Sequence, residues 1–206
     1  NDLKFVKAKA KTSQNWTNYL IAQVLEAYAY QFVADLYDGA PVTEALKGTE
    51  SNFTPVWDSG PVVYDSLLAR LDYALSKDFD VSSNISPGNN DLLFGGDVDS
   101  WIRFANTLKL KLMLRFSAAD PGKAQTLISG FVNSGATFLE TDASISTYYD
   151  EPDRGNPLYE ADRRNLNTAT NLKASLTLVN YLEANSDPRI SAFFDAPTAG
   201  GPIRGM

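Results

Sequence analysis

The chain has 206 residues, enough for one large domain or two small ones, and its 44% hydrophobic and 21% charged content is that of an ordinary globular protein. With no Cys and no His it excludes disulfide frameworks, thiolate zinc sites, cysteine nucleophiles and imidazole bases. Eighteen basic against 25 acidic residues give a net charge of -7, the wrong sign for binding nucleic acid by counterion release. Aromatic residues make up 12% of the chain, with 10 Tyr against 3 Trp, so some tyrosines are expected to face water or a ligand. The longest apolar stretch, Tyr19 to Leu25, is interrupted by Gln23 and falls well short of the roughly 20 residues that span a bilayer.

The first predicted helix runs from Asn15 to Tyr37. Polar positions are so few there that apolar residues cover most of its circumference, which predicts packing on several sides. It should stop at Asp38-Gly39-Ala40-Pro41, with Gly39 as the left-handed cap. A second helix starts near Pro61. Tyr64, Leu67, Leu68, Leu71, Ala74 and Leu75 fall on one face, opposite Asp65, Arg70 and Asp72. Between Asp78 and Asp99 lie five aspartates and no base, with Pro87-Gly88-Asn89-Asn90 among them, which is loop chemistry.

The third helix is expected from about Asp99 to Phe116, with Lys109, Lys111 and Arg115 in the half that the macrodipole makes negative. Asn106, amid apolar neighbours, should bond a loop backbone. The fourth helix starts at Pro121 and ends at Asn133. Residues 135–169 lose helical periodicity and are expected to be irregular, and a last helix is expected over about residues 170–184, with Leu172, Leu176, Val179 and Leu182 on one face. The fold class expected is therefore all-α: helix pairs over about 15–77 and 99–134, stacked as an irregular tetratricopeptide-like array with long loops, in one domain. Strict repeats of about 34 residues are absent, so function should sit on the loops.

Four ordered blocks resemble the SusD/RagB family, and more particularly its SusD-like branch. They are Asp35-Leu36-Tyr37-Asp38-Gly39-Ala40-Pro41 after Ala27, Tyr28 and Phe32; Trp57-Asp58 followed by Tyr64, Leu71 and Ala74; Asp91, Gly96-Asp97, Trp101, Phe104 to Leu110 and Arg115; and Asn156-Pro157-Leu158-Tyr159 with Tyr181-Leu182 and Asp187-Pro188-Arg189. Asp38-Gly39-Ala40 departs from the family's Gly-Asp order. The resemblance implies an outer-membrane nutrient-binding lipoprotein of Bacteroidetes that binds glycan without catalysis and lids a SusC-like TonB-dependent transporter. It also implies that the chain is a partial domain, with the lipid anchor and first helices before Asn1 and further loops after Met206.

The candidate site residues are Tyr148, Tyr149, Arg154, Asn156, Tyr159 and Trp57. Flat aromatic faces stack on the C–H faces of sugar rings while Arg and Asn reach paired hydroxyls. The alternative is that Tyr159 and one of the adjacent tyrosines pin the loop to the helices, and for Trp57 core packing is the favoured reading; Trp16 and Trp101 read as core. Asp150, Glu151 and Asp153 are the only semblance of a glycosidase pair, and sequence-adjacent acids on a loop rarely hold that geometry. No catalytic residue, cofactor or metal is assigned; Gly96-Asp97-Val98-Asp99 reads as a helix cap rather than a calcium loop. The rival function is a helical-repeat protein-interaction module. Arg189 is expected to serve the carbonyls at the end of the last helix.

Overall fold

A computed structural model describes residues 2–167, 172–197 and 200–205. Helices make up almost all of the regular secondary structure among the described residues, as expected, and the chain forms two compact units, Asn1–Ile145 and Ser146–Met206. No described helix is long and apolar enough to cross a membrane.

The first unit holds helices α1 (Asp2–Thr12), α2 (Trp16–Tyr37), α3 (Gly60–Leu75), α4 (Val98–Leu114) and α5 (Pro121–Asn133). Helix α2 packs against α1, α3 and α4, and α4 packs in turn against α3 and α5. Leu20, Val24 and Ala27 of α2, Val63, Leu67 and Leu71 of α3, and Trp101, Leu108 and Leu112 of α4 make one core. The periodicity of α3 is realised as expected, with Tyr64, Leu67, Leu68, Leu71 and Ala74 buried. Helix α1 was not foreseen. Its pattern is masked because lysines alternate with apolar residues and only Ala10 is buried. One of those lysines, Lys7, faces inward and pairs with the buried Glu26 of α2, which Arg70 of α3 also approaches at 3.5 Å. Burial pushes the Lys7 ammonium below its usual range, against the pull of Glu26.

The helix ends follow side-chain chemistry. Asn15 caps α2 through the Asn18 N–H, Asp97 caps α4 through the Ser100 N–H, and Asp120 caps α5 through the Lys123 N–H. The left-handed residue ending α2 is Asp38 (φ 59°), not Gly39. Gly39 is needed for a different reason: it opens a two-residue strand, β1 (Gly39–Ala40), paired antiparallel with β2 (Asp58–Ser59), and a side chain there would collide with the Asp58 carbonyl and the Trp57 indole.

The aspartate-rich loop before α4 is organised by one carboxylate. Asp91 accepts from the Trp101 indole (2.6 Å) and from the N–H groups of Gly96 (2.9 Å), Leu93 (3.0 Å) and Phe94 (3.3 Å). Partial burial pushes the Asp91 carboxyl up, but these four donors outweigh it and hold it below the usual range. Trp101 itself is 1% exposed and meets Phe94 edge-on at 5.2 Å. Asn106 donates to the Thr137 carbonyl (3.0 Å) and the Thr107 hydroxyl accepts from the Leu139 N–H (3.0 Å), so the extended segment after α5 is laid along α4. The basic residues of α4 have partners beyond the macrodipole. Lys109 is buried against Asp72 and the Phe131 ring, Lys111 lies over Tyr28 and Phe32, and Arg115 pairs with Asp35.

The second unit contains a short helix α6 (Pro157–Tyr159) running into a π-helical turn (Glu160–Asn165), then α7 (Leu176–Ala184) and α8 (Ile190–Phe193). The expected start of the last long helix, Thr170, lies outside the described residues. Leu172 to Ser175 are not helical, and α7 begins only at Leu176. Val179 and Leu182 are buried as expected, whereas Leu172 and Leu176 are exposed. Arg189 does not serve the carbonyls of α7: its guanidinium grips Asp187, which holds that carboxyl down to about 2. The Asp187 N–H bonds the Leu182 carbonyl instead (2.9 Å).

Candidate ligand-binding loop

Five of the six candidate site residues fall in the second unit, on one tightly turned segment. The Tyr149 N–H bonds the Arg154 carbonyl (3.0 Å) and the Arg154 N–H bonds the Glu151 carbonyl (3.1 Å), a closure that needs a left-handed residue at Asp153 (φ 62°). This turn presents Tyr148 and Tyr149, 42% and 50% exposed, side by side in sequence at its mouth. The Arg154 guanidinium covers the Tyr149 ring at 4.1 Å and pairs with Glu151 at 2.7 Å. The guanidinium therefore occupies one face of the Tyr149 ring, which stays half-exposed.

Beyond the turn, the Asn156 side-chain oxygen Oδ1 accepts from the Leu158 and Tyr159 N–H groups (2.9 and 3.4 Å). Asn156 thus caps α6 and fixes the direction of Tyr159, which is 50% exposed. Its Oδ1 is occupied, and the side-chain N–H₂ is the part that can face a ligand. Arg164 ties the far end down, bonding Asp150 (2.8 Å) and Glu160 (2.9 Å) and lying 5.6 Å from the Tyr159 ring centre. A pocket of about 240 Å³ opens beside this framework, lined by Asn156, Leu158, Tyr159, Asp162, Arg163 and Leu172.

Two of the three acids weighed as hydrolytic groups are already engaged: Asp150 by Arg164 and Glu151 by Arg154. Asp97, weighed as a calcium ligand, spends its carboxylate on the Ser100 N–H at 2.9 Å. Among the described residues, no group of three or more acidic side chains is placed to hold a metal.

Trp57, the sixth candidate, belongs to the first unit and is 57% exposed, so the favoured core-packing reading does not hold for it. It stands just before β2, with its indole next to Gly39. Trp101 is core, as read, while Trp16 is only half-buried at the end of the helix bundle. The first unit has its own concavity of about 270 Å³, lined by Asp35, Asp38, Tyr64 and Arg115 among others. There the Tyr64 hydroxyl donates to Asp35, Arg115 pairs with Asp35 at 2.9 Å, and Gln31 donates at 3.1 Å. Burial pushes the Asp35 carboxyl up, but Tyr64, Arg115 and Gln31 together hold it below its usual range. Sequence reasoning placed all three of Asp35, Tyr64 and Arg115 in family blocks without seeing that they meet. The network joins the end of α2 to α3 and α4, which is a structural role.

The family model described as SusD-like, starch-binding associating with outer membrane, matches residues 1–203. The chain belongs to the SusD-like family. A SusD homologue from Bacteroides uniformis is similar over 99% of this chain and 42% of its own, with 25% identity and a TM-score of 0.80. A chitin-binding SusD homologue from Flavobacterium johnsoniae is similar over 89% of this chain and 37% of its own, with 25% identity and a TM-score of 0.67. A SusD-like protein from Bacteroides thetaiotaomicron shares the fold at 24% identity and a TM-score of 0.69. The chain spans about two fifths of the length of the SusD homologues it matches. No curated protein sequence matches it significantly.

Proposed function

We propose that this SusD-like protein is a non-catalytic binding protein of the outer membrane, which captures an oligosaccharide on its Tyr148–Tyr159 loop. The observation that carries this reading is the half-exposed pair Tyr148 and Tyr149, backed by the guanidinium of Arg154 and followed by the capped Tyr159. A sugar ring has an apolar C–H face and a rim of paired hydroxyls. Exposed tyrosines meet the first, and the Arg154 guanidinium and Asn156 amide meet the second. Family membership supports the reading, and one similar structure is itself that of a chitin-binding protein. Trp57 is a separate contact on the first unit.

The captured ligand passes to a SusC-like TonB-dependent transporter, and a lipid anchor holds the full-length protein at the outer leaflet. Binding without turnover is the chemistry that fits the loop, because Asp150 and Glu151 are held by arginines. A glycan array probed with the protein tests the proposal. Binding to at least one neutral oligosaccharide with no product released on prolonged incubation is expected. Binding to no saccharide, with capture only of protein partners, would favour the helical-repeat interaction module instead.

A further inference from the structure

At the end of the first unit where α1 stops, α2 begins and α3 finishes, three aromatic rings and two lysines converge. Trp16 and Tyr19 of α2 meet edge-on at 5.8 Å, and Tyr19 meets Tyr73 of α3 edge-on at 5.8 Å. Lys77, just past α3, places its ammonium 3.6 Å from the Tyr73 ring centre and 5.3 Å from that of Trp16. Lys11, in the last turn of α1, comes within 5.5 Å of the same Tyr73 ring. The surroundings are fixed by hydrogen bonds between distant segments: the Ser83 hydroxyl donates to the Gln14 carbonyl (3.1 Å), and the Asn84 side chain accepts from the Thr17 N–H (2.8 Å).

Neither lysine of this cluster is held in an ion pair. Acids outnumber bases 25 to 18 in the chain, yet among the described residues neither ammonium has a carboxylate within 4 Å. The neighbouring Asp78 turns its carboxylate to the Asp80 N–H instead (2.9 Å). Two like charges drawn to one phenol repel each other, and the ring faces and the C-terminal ends of α1 and α3 offset them only in part. The effect is felt at Tyr73, whose hydroxyl is held below the usual phenol range by Lys77 and then by Lys11. Tyr73 and Lys11 are exposed, so a ligand can reach the cluster from solvent.

We infer that Lys11, Lys77 and the hydroxyl of Tyr73 form a second binding site, which takes the anionic group of an acidic saccharide while Trp16 and Tyr19 border the sugar ring. An anionic group near both ammoniums supplies the carboxylate-like partner that neither has, and the phenol adds a hydrogen-bond donor. With only two lysines on a chain of net charge -7, the site suits one anionic group per sugar unit rather than a nucleic-acid backbone. The inference rests on the glycan-binding reading above and extends it to the charge of the ligand.

The test is titration calorimetry of the protein with tetragalacturonate, its methyl ester and a singly sulfated neutral tetrasaccharide, with Lys11→Gln, Lys77→Gln and Lys77→Arg variants checked by circular dichroism for intact folding. Tighter binding of an acidic probe than of the ester is expected, weakened roughly threefold to tenfold by either glutamine variant and by added salt, and kept within about twofold by Lys77→Arg. Whichever of the carboxylate and sulfate probes binds more tightly identifies the anionic group. Equal binding of acidic and esterified probes, or affinities that both glutamine variants leave unchanged, would overturn the inference. If neutral oligosaccharides still bound and Tyr149→Ala weakened them, the loop reading would survive that failure; if no saccharide bound at all, both would fall.

Discussion

Replacing Trp101 by alanine removes the largest fully buried side chain of the first unit together with the indole donor that Asp91 uses. Truncating a buried Trp costs about 3–5 kcal/mol through lost contacts and the cavity left behind. The Asp91 carboxylate also loses one of four donors, worth about 1 kcal/mol at a half-buried site. For a chain of this size each kcal/mol moves the melting midpoint by roughly 2–4 °C, so Trp101→Ala should lower it by about 10 °C or more. Trp101→Phe keeps most of the apolar volume and should cost only about 1–2 kcal/mol. Because the Asp91 carboxyl is depressed in the folded state, its contribution is present above the unfolded value of about 3.9 and is lost as the pH falls through the lower folded value. Thermal unfolding followed at 222 nm across pH 3 to 7 should therefore show the gap between wild type and Trp101→Phe narrowing as the solution is acidified. A Trp101→Ala protein within about 0.5 kcal/mol of wild type at neutral pH would refute this account of the core.

Glu26→Gln should destabilise the protein by about 3 kcal/mol in urea titration, because Lys7 and Arg70 would lose the one buried carboxylate that both approach. Gly39→Ala should cost roughly 1–3 kcal/mol, since the new methyl group meets the Asp58 carbonyl and the Trp57 indole; an unchanged melting midpoint would mean that the β1–β2 corner is looser than described. Tyr64→Phe removes a donor from Asp35, whose depressed carboxyl also contributes above its unfolded value and loses that contribution on acidification. The variant should be less stable at neutral pH and should lose less on acidification, which melting curves at pH 3 and pH 7 will measure.

What could be read from the sequence follows physical range. Leu67 and Leu71 sit on the inner face of α3 because helical spacing alone determines which side they share, and Asn106 had to find a nearby carbonyl because a buried amide cannot go unpaired. Helix α1 escaped notice because its inward residue is a charged lysine whose partner, Glu26, is 19 positions away. The same distance problem hid the meeting of Asp35, Tyr64 and Arg115, and the convergence of Lys11 and Lys77 on Tyr73. Glycine is the usual left-handed residue after a helix, yet Asp38 takes that position after α2 and Gly39 serves a close approach. In the candidate loop, the residue types are readable but their engagements are not: Asn156 spends its side-chain oxygen as a cap, and Arg154 lies on Tyr149 rather than standing free.

The central claim, that the Tyr148–Tyr159 loop is a saccharide surface and not packing, is tested most directly by measuring affinity and melting temperature together for Tyr149→Ala and Tyr148→Ala, using the neutral oligosaccharide that binds best on an array. Each ring is half-exposed and stacks by apolar contact, so truncation should cost on the order of 1 kcal/mol of binding, several-fold in Kd, while the melting midpoint stays within about 2 °C of wild type. Unchanged affinity with a fall in melting temperature like that of Trp101→Ala would contradict the claim and make the loop a structural element.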